Sequence, residues 1–124
     1  MNLLLDTHVA LWWFGDSPKL SPRHRELIHD TGRRVFVSSV SVVEISIEAS
    51  LGKLDAPQGV VDAVVQSGFE LLALEGSHAE ELRELPWHHR DPFDRMLIAQ
   101  AKVEKLTFLT VDENIARYEG FTVG

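Results

Sequence analysis

The chain contains no cysteine. That excludes a disulfide framework, a cysteine-ligated zinc and thiol nucleophilic catalysis, and it suits a reducing compartment. Long apolar runs are missing too: the longest span only a few residues, far below the ~18 that cross a bilayer. No basic segment precedes the first apolar residues, and Asp6 and His8 interrupt them at once. A signal peptide is therefore not expected, and a cytoplasmic protein with no membrane partner is. Positive charge is scarce: 12 Lys and Arg stand against 19 Asp and Glu, a net charge of −7. An acidic chain is no general binder of nucleic acid, so any such contact must be local or bridged by cations. Glycine-rich phosphate loops, a nucleophile elbow and a dinucleotide fingerprint are absent, as are linkers, repeats and low-complexity tracts.

What remains is 124 residues, 44% of them hydrophobic, enough for one core and one domain over 1–124. Short apolar segments alternate with helix-compatible ones. Strands are expected over 3–5, 35–37, 69–74 and 107–111, with a small edge strand over 121–123. Helices are expected over 8–14, 22–29, 38–51, 60–66, 77–85 and from Asp91-Pro92 to about 105, with a short helix or turn over 112–118. The punctuation is chemical: Pro22 and Pro92 suit first helical positions, Gly15, Gly32, Gly52 and Gly68 end segments, and Pro86 stops one. Wholly apolar rather than alternating strands argue for a parallel sheet buried on both faces. The expected fold is a single α/β domain, a three-layer α/β/α sandwich around a parallel sheet of four to five strands.

Parallel α/β sheets place their sites at the carboxyl ends of the strands, and four acids are due there. Asp6 follows the first strand, Glu44 lies early in the helix after the second, Asp94 opens the helix that feeds the fourth, and Asp112 follows the fourth. A helix from Asp94 to about 105 descends ~17 Å, and the strand over 107–111 climbs back ~16 Å, returning Asp112 to the level of Asp94. Each acid also has a local use. Asp6 and Asp112 can cap helices, Ser41-Val42-Val43-Glu44 matches a capping box, and Asp91-Pro92-Phe93-Asp94 sets a cap, a first-position proline and a dipole-stabilising acid in order. Caps, however, need not meet, whereas these four converge. Crowded carboxylates raise one another's pKa or demand a cation. Mg²⁺ or Mn²⁺ would meet that demand and suit phosphodiester hydrolysis. Arg90, Arg95 and Lys102 lie on or beside the same helix and are candidate phosphate contacts; a solvated helix face is the plainer use for them.

Leu3-Leu4-Leu5-Asp6-Thr7-His8, Glu44, the run Asp91-Pro92-Phe93-Asp94-Arg95-Met96-Leu97-Ile98-Ala99-Gln100-Ala101 and Leu109-Thr110-Val111-Asp112 together resemble the PIN-domain ribonucleases, and most nearly the VapC-type toxins of bacterial toxin–antitoxin pairs. The likeness spans essentially the whole chain, and the segment from 89 to 101 is its most specific part. It implies a PIN-like, Rossmann-like fold and Mg²⁺-dependent cleavage of RNA. By matching position, it makes Asp6 and Asp94 the principal metal ligands, Glu44 a ligand or water-positioning acid, and Asp112 a fourth, often outer acid. Asp91 fits better as the helix cap. The resemblance further implies a homodimer and a VapB-like antitoxin that forms a hetero-oligomer with the toxin and covers its groove; Trp12 and Trp13 are candidates for that groove or for the dimer face. Core packing is the plainer use of at least one of them.

Rival readings fare worse. A receiver-like signalling domain wants an acid pair after strand one and an Asp after strand three, where this chain has a lone Asp6 and Leu74-Glu75. A haloacid-dehalogenase-like phosphatase wants an Asp at the place of His8. A catalytically inactive PIN-like module that only binds a partner stays open. His88 and His89, being adjacent, do not share a helix face and are expected as a solvated pair or a phosphate contact. His29-Asp30 reads as a helix end, where His is favourable, and His8 is given no role.

Overall fold

A computed structural model describes residues 1–124. Five parallel strands, β1 (Leu3–Leu5), β2 (Val35–Ser38), β3 (Glu70–Leu72), β4 (Thr107–Leu109) and β5 (Thr122–Val123), form one sheet in the order β3-β2-β1-β4-β5. The six helices are α1 (Thr7–Phe14), α2 (Pro22–His29), α3 (Ser39–Ser50), α4 (Val60–Gln66), α5 (Gly76–Glu81) and α6 (Pro92–Glu104). No helix is long and apolar enough to cross a membrane.

The apolar strands are buried on both faces. Leu3 and Leu5 pack into one core cluster with Val9, Ala10, Ile28 and Val64 from α1, α2 and α4. Leu4 points the other way, into a second cluster with Leu97, Ile98 and Ala101 of α6 and Val40 of α3. This period-two division is why three consecutive leucines are needed in the central strand: neither face meets water. The expected α/β/α sandwich is the one observed.

The chain winds outward from β1 to β2 to β3, then returns by α5 and α6 to place β4 on the far side of β1. The winding reverses between β1 and β4, and such a reversal opens a crevice at the strands' carboxyl ends. The register pairs Leu5 with Leu109, so Asp6 and Thr110 leave the sheet side by side.

Several boundaries differ from expectation, each for a visible reason. β4 stops at Leu109 rather than 111, because the Thr110 hydroxyl turns to bond Asp6 and the Asp112 amide. β3 is shorter than 69–74: past Leu72 the Leu74 amide bonds the Ser39 hydroxyl instead of a strand. The capping box over 41–44 does not form. Ser38 caps α3 through the Val40 amide (3.0 Å), and Ser41 bonds the Thr7 hydroxyl across to α1 (2.9 Å). The helix expected over 77–85 divides into α5 and a 3-10 turn, Leu82–Glu84.

Candidate active site

Four segments bring their acids to the β1–β4 crevice. Asp6 occupies the residue before α1 yet makes no capping bond with its side chain. Its Oδ2 instead accepts from the Thr110 hydroxyl at 2.6 Å, and its amide donates to the Leu109 carbonyl. The same Thr110 oxygen accepts the Asp112 amide at 3.1 Å, so one hydroxyl ties the ends of β1 and β4 together. Asp112 also accepts the Asn114 amide (2.9 Å), which fixes its carboxylate in a turn. Asp94 sits in the first turn of α6, whose cap is Asp91: the Asp91 carboxylate accepts the Phe93 and Asp94 amides at 2.9 and 3.2 Å. Glu44 stands one turn further into α3 than a capping box would place it.

The four acids act on one another electrostatically. Asp6 and Glu44 are each only 7% exposed, and Glu44 Oε1 is buried with no hydrogen-bond partner. Asp94 is pushed up to about 8, first by burial and then by the carboxylates of Asp6, Asp91, Glu44 and Asp112. Burial also raises Asp6. The Thr110 hydroxyl, the Thr7 amide and His8 oppose this, while Asp112 adds to it. Glu44 is raised by burial, partly relieved by Thr7, whose hydroxyl also reaches Ser41, and raised further by Asp91, Glu48 and Asp6. Mutual elevation of this kind is what neighbouring carboxylates impose on one another.

The donor set suits a hard divalent ion. It is almost wholly carboxylate oxygen, it contains a buried oxygen with no donor, and no Lys or Arg pairs with any of the four acids. Such sets favour Mg²⁺ or Mn²⁺ over softer metals. One ligand atom from each of His89, Asp94 and Asp112 lies within 4.8 Å of the other two.

His89 is the residue the sequence reading missed. It is not solvated: its side chain is mostly buried, Nδ1 lies 2.8 Å from the Tyr118 hydroxyl, and Nε2 lies 3.4 Å from Asp94 Oδ2. That hydroxyl already accepts from Arg95 Nη1 (3.1 Å) and from the His89 amide (3.4 Å). Its own proton therefore goes to Nδ1, which leaves Nε2–H facing Asp94. Thr110 was missed as well. Its one signal was the register: a hydroxyl placed at the end of β4, opposite the acid that ends β1.

Two of the three expected phosphate contacts are corrected. Arg95 is 4% exposed, with its guanidinium committed to the Pro86 carbonyl (2.8 Å), the Leu85 carbonyl (3.1 Å) and Tyr118. Helix periodicity turned it inward. Lys102 is at the opposite end of α6, ~12 Å along the axis from Asp94, and pairs with Glu81 at 3.1 Å. Arg90 is exposed just ahead of α6 and forms no ion pair. Of the paired tryptophans, Trp13 packs on Phe69 and His29, while Trp12 lines a groove of about 700 Å³ with His8, Leu11, Phe14, Leu54 and Pro57.

Comparison with known proteins agrees with this architecture. The family model for the PIN domain matches residues 3–120. Among solved structures, VapBC2 from Rickettsia felis bound to a DNA fragment from its promoter aligns with a TM-score of 0.74 at 15% identity, covering 100% of this chain and 98% of that one. DNA-bound VapBC from Salmonella typhimurium aligns with a TM-score of 0.73 at 20% identity, covering 100% and 97%. FitAcB from Neisseria gonorrhoeae aligns with a TM-score of 0.57 at 17% identity, covering 91% and 89%. A search of curated protein sequences gave no significant match.

Proposed function

The chain belongs to the PIN domain family, and from that premise we propose that it is a metal-dependent endoribonuclease, the toxin of a VapBC-like toxin–antitoxin pair. The observation that carries the reading is the crowding of Asp6, Glu44, Asp94 and Asp112 in the β1–β4 crevice, with Asp94 held near 8 and Glu44 Oε1 left without a donor. Crowded buried carboxylates either take up protons or draw in a cation, and a divalent ion does the second.

In this reading Asp6 and Asp94 would be the principal residues holding the ion, Glu44 would hold it or position a water, and Asp112 would be the fourth, outer acid. Mg²⁺ or Mn²⁺ would supply charge neutralisation and a water of lowered pKa. The protein's own residues do the rest. Thr110 fixes the Asp6 carboxylate and the turn carrying Asp112. Asp91 holds the first turn of α6, and so the direction of Asp94. His89, with Nε2–H toward Asp94, is placed to hold or return a proton at the edge of the crevice. Arg90 supports the RNA backbone where the net charge of the chain does not.

The partner reading rests on the likeness in fold to solved VapBC and FitAcB structures and on the groove containing Trp12 and His8, the latter two residues along the chain from Asp6. An antitoxin segment laid there blocks the crevice. A homodimer draws support from Val43 and Ile47 of α3 and Leu51 just past its end, exposed at four-residue spacing, an apolar stripe. The whole of 1–124 then works as one cytoplasmic PIN unit.

The deciding experiment is cleavage of total bacterial RNA by purified protein with Mg²⁺, with a chelator, and with Asp94→Asn beside wild type. Discrete cuts that need both metal and Asp94 are expected. Folded protein that cuts in no lane would sink the nuclease reading in favour of a partner-binding module.

A further inference from the structure

A second unusual surface begins on the other side of the first turn of α6. Trp87 is 72% exposed, more than any other large hydrophobic residue in the chain. It is nonetheless held in place. The Arg95 guanidinium lies 3.7 Å from the ring centroid, and Arg95 is itself anchored by the two backbone carbonyls and the Tyr118 hydroxyl described above. One face of the indole is thus fixed to a buried cation, and the exposure belongs to the rest of the ring. Beside it, a cavity of about 320 Å³ runs over Pro92 and Met96 and is flanked by Arg83 and Arg90. Both arginines are exposed and free of ion pairs.

A rigid aromatic face flanked by unpaired arginines has a specific chemical complement. A flat ring stacks on the open indole face, and the anions attached to it meet the guanidiniums. An unpaired nucleobase with its flanking phosphates fits both demands, and stacking on aromatic side chains is how unpaired strands are held without duplex geometry. The location matters as much as the composition. A continuous chain of contacts leads from Trp87 through Arg95, Tyr118 and His89 to Asp94, so the patch and the acids share one helix end, about a helix diameter (~10 Å) apart.

We propose that Trp87 is a stacking platform for an unpaired base of the RNA strand adjoining the acidic crevice, with Arg90 and Arg83 taking the flanking phosphates and Arg95 acting as the positioning residue that holds the indole. This rests on the ribonuclease reading for what happens in the crevice, but the binding itself is measured separately.

The test uses Asp94→Asn protein, which prevents turnover, with and without Trp87→Ala. The probes are a short fluorescein-labelled oligoadenylate and a duplex RNA of the same length. Trp87→Ala should weaken oligoadenylate binding about tenfold, Trp87→Phe should retain most of it, and duplex binding should not change. Arg90→Gln should lower the slope of log affinity against log salt by about 0.7. Because Trp87 is on the surface, circular dichroism should be unaltered. Equal oligoadenylate affinity with and without Trp87 would overturn the proposal. So would a Trp87→Ala protein that keeps its RNA affinity but no longer captures its antitoxin, which would make the patch a protein-docking surface. Trp87-dependent binding by a wild-type protein that cuts no RNA with any divalent metal would sink the nuclease reading alone.

Discussion

Helix α6 carries two buried polar clusters, and they are built on opposite terms. In its middle, Gln100 is fully buried, and its amide is spent on the Ser38 hydroxyl (2.5 Å), the Ala73 carbonyl (3.3 Å) and the His78 ring (3.4 Å). His78, also fully buried, is held by the Glu75 amide and by Glu104 at 2.9 and 2.8 Å. Every polar group there has a partner within the chain. Two turns earlier, Asp94 is raised by four other acids, and a buried oxygen of Glu44 has no partner at all. The first cluster is complete and fastens β2 and α5 to α6. The second is left incomplete by the chain's own groups. Being polar and buried does not separate the two clusters; what separates them is that crowded acids and unpartnered atoms, Glu44 Oε1 and His89 Nε2, meet at only one of them.

The strongest way to break this contrast is to substitute at both places and read activity and stability together. Asp94→Asn or Asp6→Asn should cut RNA cleavage by about 10²-fold or more while raising the melting temperature of the metal-free protein, since a mutual repulsion is relieved. Glu44→Gln should damage cleavage in the same direction. Loss of folding in both aspartate variants would make these acids structural after all.

The next effect is on stability against pH. Because Asp94 is raised from an ordinary carboxylate value to about 8, the folded state binds its proton more tightly than the unfolded chain does. Stability from this group is fully present below about 4 and is lost as pH rises through about 8. The metal-free protein should therefore weaken across that window by an amount on the order of a few kcal/mol, and Asp6 and Glu44 push the same way. Urea melts of wild type and Asp94→Asn between pH 5 and 9 measure the difference. Saturating Mg²⁺ should flatten the wild-type slope, and a slope indifferent to both Asp94 and metal would show that the acids do not share one volume.

The smallest effect belongs to the satisfied cluster. Gln100→Ala leaves the Ser38 hydroxyl and the Ala73 carbonyl without a partner and should cost about 1–3 kcal/mol, with cleavage per folded molecule unchanged. A loss of turnover without loss of stability in that variant would erase the distinction between the clusters.

Much of this was legible beforehand. The three central leucines, the Asp91-Pro92 cap and the position of an acid after β1 and β4 follow from local rules: strand period, capping chemistry and the rise per residue. The convergence of the four acids could be foreseen because it needs only element lengths and a parallel sheet. The same local rules misread Ser41-Glu44, whose pattern fits a capping box although α3 starts two residues before Ser41. Arg95 was misread because its direction depends on which face of α6 meets the 82–87 segment. His89 and Thr110 were invisible because their partners, Tyr118 and Asp6, are 29 and 104 residues away.

By itself, then, the sequence determined the elements, their parallel order and the set of acids that reach one end of the sheet, all through interactions between near neighbours and through hydrophobic period. Only the tertiary structure decided which polar groups were left without partners, which arginine was buried beneath an exposed tryptophan, and which histidine faced an acid. Those outcomes depend on register and packing between distant segments, where a single helix rotation exchanges a solvated charge for a buried one.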